Sequence, residues 1–317
     1  MIGGRAHPVG RRARETTPAP AANDRARAGD GPVSRWSEIR DGAALYEDEA
    51  ILVLNKPAGI SVMGERHETD LVRLAEEEGE TLYPVHRIDK VTSGAVLFAK
   101  EVRFHSVLTR QFNRRTVDKS YLAVTRSTGL PQAGTIDLPL GVGRKNRVRV
   151  AGNRGDIVAD EKDGGDGRDG EEVRWSLAPG AGFGEKRSYP SLTVFARVGD
   201  DGRHTVLAVR PVTGRRHQIR VHLAWTGHAI EGDPLFDRES AAAGARTCLH
   251  SWWLAFDAPW AGSGTRLEFQ APPDADFWAP LGGDLAGGPA ADELDRAHRL
   301  LAERAAAEAD RWDGTGA

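Results

Sequence analysis

Aliphatic and aromatic residues in this chain gather in short runs separated by Gly, Pro and charged stretches. The runs at 50–55, 95–99, 120–125, 192–198, 205–209, 248–256 and 266–270 have the branched, aliphatic and aromatic content that strands prefer. Helical periodicity is rarer. Over 69–78 a plausible cap precedes Leu71, Leu74 and Ala75 on one face, and over 101–114 Phe104, Leu108 and Phe112 recur at helical spacing. Both stripes are expected to face a core. The stretch 290–312 reads as one charged helix; Leu294, His298 and Leu301 give it only a thin apolar face, so weak docking or fraying is expected. Strands that follow one another without strict alternation with helices predict an α+β domain with a mostly antiparallel, mixed sheet.

Two segments break this pattern. Residues 1–34 are rich in Arg, Ala, Gly and Pro and nearly free of aliphatic side chains, so they bury too little surface to offset the entropy of ordering and read as a disordered basic tail. That tail is expected to solvate rather than to grip phosphates. Residues 151–188 mix Gly with Asp and read as a long loop or insertion. The expected organisation is a tail at 1–34, a folded domain at 35–285 that carries this insertion, and a C-terminal charged helix at 286–317.

With 317 residues, 39% hydrophobic and 28% charged, the chain can bury a core, and collagen-like, wholly disordered and disulfide-stapled classes are excluded. Its one cysteine, Cys248, has no internal partner and reads as an inert buried thiol in a reducing compartment. No apolar run approaches the roughly 18 residues of a membrane span, and no apolar block resembles a signal peptide, so no membrane partner and a cytoplasmic location are expected. A net charge of −3 means that a nucleic-acid partner would have to be met by a local basic surface.

Chemistry concentrates in two clusters. The first, HRIDKVTSG, runs from His86 to Gly94 just before the 95–99 strand and sets one carboxylate, Asp89, between cations on a loop whose Thr-Ser-Gly fixes a turn. A neighbouring Arg favours the charged form of an Asp, which can act as nucleophile or base; a purely structural ion pair is the competing reading. The second, RPVTGRRHQIRVHL from Arg210 to Leu223, reads as a strand end, a turn and a short helix. On that helix Arg216 and Arg220 share a face while Ile219 and Leu223 face the core, so one arginine can reach a buried carboxylate. His217 and His222, five apart and without a Cys or acidic pair, do not make a metal site, and no metal is expected. The following run, 227–234, reads as a pocket wall rather than a source of chemistry.

Smaller signals accompany these. Pro57 and Gly59 shape a turn expected to expose Lys56. Tyr121, at the start of a strand, is either packing or a ring offered to a planar ligand. Arg144, Lys145, Arg147 and Arg149, together with Arg114 and Arg115 at the end of the second helix, read as a track for phosphates.

Taken in order, LNKPAGISV, HRIDKVTSG, KSYLAV, TGRRHQIRVHLAWTGHAIEGDPLF and RTCLHSWWLAF resemble the RluA-type RNA pseudouridine synthases over roughly residues 50–270. The resemblance implies their catalytic fold, with a central cleft and flanking helices, and isomerisation of uridine in large-subunit ribosomal RNA, transfer RNA or both. It implies Asp89 as the nucleophile after base flipping, with Arg220 paired to it. Tyr121 would stack on the uracil, Ile219 would pack against it, and Arg87 would fill the vacated place in the base stack. Lys56 and His86 would support substrate binding. No cofactor is implied, the partner is RNA, and a monomer is the default. Glu231 departs from the family pattern, which has an aliphatic residue there. An RNA-binding or ribosome-assembly protein without turnover, on the same scaffold, is the competing class.

Overall fold

The structure, a computed structural model, describes residues 34–64, 69–143, 147–162, 172–182 and 188–313. The expected basic tail except Ser34, the acidic stretch 163–171, and Arg144 and Lys145 lie outside the described residues.

Helix α1 (Arg35–Ala43) and strands β1 (Ala44–Glu47) and β2 (Ile51–Lys56) lead to α2 (Leu71–Glu77), β3 (Tyr83–Pro84), β4 (Ser93–Ala99) and α3 (Val102–Arg114). Then come β5 (Asp118–Thr125), β6 (Ala133–Asp137), β7 (Leu140–Val142), β8 (Val148–Val150), β9 (Ile157–Lys162), β10 (Glu172–Leu177), β11 (Ser188–Tyr189), β12 (Leu192–Asp200) and β13 (Thr205–Pro211). The chain closes with α4 (Gln218–Trp225), α5 (Arg238–Ala242), β14 (Leu249–Asp257), β15 (Arg266–Gln270), α6 (Ala275–Trp278) and α7 (Ala291–Asp313). One twelve-stranded sheet runs β1-β2-β4-β14-β5-β13-β12-β6-β10-β9, with β3 on β4 and β15 on β14, and β11-β7-β8 form a small second sheet. Among the described strands only β4 with β14 and β6 with β10 pair in parallel, so the fold is the expected mostly antiparallel, mixed α+β sheet.

The two helices read from periodicity cover opposite faces of β4. Every residue of that strand is buried. Ala95, Leu97 and Ala99 pack with Phe104 and Leu108 of α3, while Val96 and Phe98 pack with Leu71 and Leu74 of α2, the alternation that a pleated strand imposes. The strand is therefore clamped from both sides, and the loop that enters it starts from a rigid base.

Residues 151–188 are not a plain loop. Strands β9 and β10 form an antiparallel pair there, and β10 joins the main sheet beside β6 with Trp175 opposite Ile136. Val173 and Trp175 alternate inward, and the Trp175 ring lies 5.9 Å from that of Phe195. The surrounding Gly and Asp hid this short period-two pattern. Nor does α7 hang loosely. Ala297, Leu301 and Ala305, spaced by four, are buried, and the small alanines let the helix approach the sheet closely. Glu308 accepts from Arg174 at 2.8 Å and from the Thr135 hydroxyl at 3.2 Å, and Arg304 pairs with Glu172. Among the described residues no helix is long and apolar enough to cross a membrane.

Because Leu301 is fully buried, Leu301→Ala is expected to cost about 2–5 kcal/mol of stability. Urea unfolding measures it, and a loss well under 1 kcal/mol would mean that α7 frays in solution.

Candidate active site

Helix α4 is set by the residues that precede and begin it. The Gln218 side-chain oxygen accepts from the Thr213 hydroxyl at 2.7 Å and from the Arg215 N–H at 3.0 Å, while its amide donates to Leu192 O and to Thr193 Oγ1. One turn later His222, its pKa pulled to about 4 by burial, is neutral and bridges Thr193 Oγ1 and Leu138 O, each at 2.9 Å. These bonds occupy both histidine nitrogens, so His222 serves packing. The helix begins at Gln218, so Arg216 precedes it and does not share a helical face with Arg220, contrary to the expectation from spacing. His217 stands at the cap in the left-handed region, φ +55.

The Asp89 loop is pinned just as tightly. Thr92 N–H donates to Asp89 O at 3.0 Å, and Lys90 O accepts from Gly59 N–H at 2.8 Å and from the Lys56 ammonium at 3.4 Å. Lys56 also donates to Pro57 O and Ile60 O, both at 2.8 Å. It is fully buried rather than exposed by its turn, and burial draws its pKa down to about 7 against the pull of Asp89. An ammonium satisfied by backbone carbonyls supports the loop, and it does not line the cavity described below. Gly94, at φ +108, is needed where β4 passes β14, because a Cβ there would overlap the Ser251 backbone.

Arg220 joins the two clusters. From α4 it donates through Nη1 to Asp89 Oδ2 at 2.8 Å, and through Nε and Nη2 to the two carboxylate oxygens of Asp233 at 2.7 and 2.8 Å. Arg220 is 4% exposed, Asp233 is fully buried, and the Asp89 side chain keeps 20% exposure. The far side of Asp89 faces His217, whose Nε2 lies 3.6 Å from Oδ1. Asp233 belongs to the run read as a pocket wall; it does not line the cavity below but supplies the buried carboxylate that holds Arg220. It is fixed by Gly232, at φ +69, where a Cβ would overlap the Arg246 carbonyl.

A cavity of about 360 Å³ opens over this array, within the range of small-ligand sites. Asp89, Arg220, Tyr121, Ile219 and Arg87 all line it. Burial and the nearby charge of Asp89 push the Tyr121 phenol up to about 12, so it remains a neutral donor at physiological pH. His86 is not among the lining residues. Its Nε2 accepts from Leu97 N–H at 3.1 Å, its ring stacks on Phe112 at 4.7 Å, and burial brings its pKa to about 3, so it is a neutral group packed beside the loop.

Comparison with known proteins gives the family. The family model for RNA pseudouridylate synthase matches residues 50–225. The chain belongs to this family. It is 33% identical over 248 residues to the ribosomal large subunit pseudouridine synthase C of Pasteurella multocida, an alignment covering 75% of this chain and 66% of that protein. It is 32% identical over 238 residues to the dual-specificity RNA pseudouridine synthase RluA of Vibrio vulnificus, covering 72% and 80%. The resemblance to RluA-type pseudouridine synthases drawn from the motifs therefore holds. Among solved structures, human RNA pseudouridylate synthase domain containing 4 and domain containing 1 share the fold, with TM-scores of 0.57 and 0.56 at 21% and 23% identity. These two cover 76% and 81% of this chain and 92% and 94% of their own.

The expected phosphate track divides in this chain. Arg114 and Arg115 line a second cavity beside the first, whereas Arg147 and Arg149 are exposed at β8 of the small sheet and line neither. The sequence reading did not assign Asp233, His217 or Lys119 to the site. An available signal for Asp233 was the inference that an α4 arginine reaches a buried carboxylate, since Asp233 lies in the next loop.

Removing one charge from a buried pair leaves the other uncompensated. Asp233→Asn is therefore expected to cost about 3–5 kcal/mol in denaturant unfolding, and Asp89→Asn markedly less because Asp89 retains contact with water. Equal costs would mean that Asp233 does not carry the Arg220 charge.

Proposed function

We propose that this chain is an RNA pseudouridine synthase that isomerises uridine in ribosomal RNA of the large subunit, transfer RNA or both, with Asp89 as the nucleophile. The observation that carries the reading is a half-open carboxylate at the base of a cavity, held by an arginine that a fully buried second carboxylate holds in turn. Names of relatives support the substrate class, and that of the Pasteurella multocida relative specifies the large ribosomal subunit.

Isomerisation breaks the bond between ribose C1′ and uracil N1 and makes one between C1′ and C5. The proton leaves C5 and N1 gains one, so atoms balance without oxidant or reductant. An Asp89 carboxylate serves as nucleophile whether it attacks the sugar or the base. Arg220 fixes one of its oxygens and leaves the other, beside His217, toward the cavity. A base within a duplex cannot reach such a carboxylate, so the uridine must flip out of the stack. Tyr121 and Ile219 offer the ring and the apolar wall that would hold it, and Arg87, exposed at the rim, is placed to fill the gap left behind.

The test is nucleoside mass spectrometry of RNA incubated with the purified protein. Wild type is expected to form pseudouridine, and Asp89→Asn to form none while still binding RNA. Pseudouridine formation by Asp89→Asn would overturn the nucleophile. RNA binding by the wild type with no product on any RNA would favour the binding-only class.

A further inference from the structure

A second cavity, of about 560 Å³, lies between the C-terminal end of α3, strands β5 and β13, and α7. It shares Lys119, Pro211, Gly214 and Arg215 with the Asp89 cavity, so the two form one continuous depression. We propose that this groove is the channel for the RNA strand that flanks the flipped uridine, with Arg115, Lys119 and Arg215 as a subsite for its phosphates. The proposal rests on the RNA-modifying reading above and adds where the strand runs.

Charge is the first argument. Arg114, Arg115, Lys119, Arg210 and Arg215 line the groove and no carboxylate does, in a chain whose net charge is −3. Only Arg210 among them is neutralised, by Asp118, which also holds Arg266. Among the described residues no carboxylate pairs with Arg114, Arg115, Lys119 or Arg215. Like charges held this close repel unless an anion joins them, and burial together with Arg210 and Arg115 brings Lys119 down to about 8. A phosphodiester relieves that repulsion.

Shape gives the second argument. A Cβ on Gly214 would come within 3.3 Å of the Lys119 ammonium, which therefore lies over bare backbone at the junction of the two cavities. A strand that delivers a flipped base into one cavity and continues over this junction meets the Lys119 ammonium with no side chain in its way.

Helix α7 gives the third. It is rich in Asp and Glu, yet the residues it presents to the groove are Ala305 and Ala309. Its Glu308 is turned to Arg174 instead. The helix thus closes one wall without placing an acid where phosphates would pass.

The test is binding of a fluorescent oligouridylate of about 12 nucleotides across about 50–200 mM salt. Ala309→Glu adds a carboxylate to the wall and Ala309→Gln adds nearly the same volume without charge. Ala309→Glu is expected to weaken binding several-fold at low salt, with the gap closing at high salt, while Ala309→Gln binds like wild type. The pair Arg114→Gln with Arg115→Asn, the Asn chosen because Arg115 has φ +59, is expected to lower the salt slope by about 0.7 for each phosphate that the arginines no longer neutralise. Equal binding by Ala309→Glu and Ala309→Gln, with an unchanged slope in the arginine pair, would overturn the channel while leaving the RNA reading intact. A wild type whose binding shows no salt dependence would overturn the RNA reading and the channel with it.

Discussion

A guanidinium shared between two carboxylates can stay out of water only where its charge and each of its nitrogens have partners, and Arg220 meets that condition through Asp89 on one side and Asp233 on the other. The arrangement is costly to assemble, because three charges lose solvent together. It is also directional. The Arg–Asp233 fork leaves one Nη in a fixed place, and the Asp89 carboxylate must come to that place. Each further feature of the site either holds one of these three groups or shapes the space above them.

Three distant segments have to arrive together for this to happen. The Asp89 loop is held by backbone bonds and by a lysine whose ammonium meets only carbonyls, and it enters a strand packed on both faces. The α4 segment is held by Gln218 and His222, which bind the strand and loop beneath it. The Asp233 loop is held where Gly232 lies against the Arg246 backbone. Four polar residues of the motifs, Lys56, His86, Gln218 and His222, therefore do positional work. Burial keeps His86 and His222 neutral, which suits that role.

Much of the fold was legible because the central strands and two of the helices show simple periods. The expected runs at 95–99 and 205–209 fall within β4 and β13, and Leu71, Leu74 and Leu108 are buried as their spacing predicts. What was hidden has physical causes. Strands β9 and β10 sit among Gly and Asp that mask a short alternation, and α7 docks through alanines, which a search for large apolar side chains passes over. In the site, Asp89, Arg220, Tyr121, Ile219 and Arg87 come together as the motifs implied. Lys56 departed because a turn with Pro and Gly says nothing of which way its lysine points. Asp233 was missed because a carboxylate in a glycine loop has no signature until the arginine it holds is placed.

The rigid Arg220 fork, rather than positive charge alone, is the condition for the proposed chemistry. Arg220→Lys separates the two, because a lysine keeps the charge but cannot bridge Asp89 and Asp233 in fixed geometry. Single-turnover pseudouridine formation, measured at saturating RNA alongside RNA affinity, is the direct test. The expected result is a fall in rate of about a hundredfold or more with affinity little changed. A rate within a few-fold of wild type would contradict the claim that Arg220 positions Asp89 for reaction.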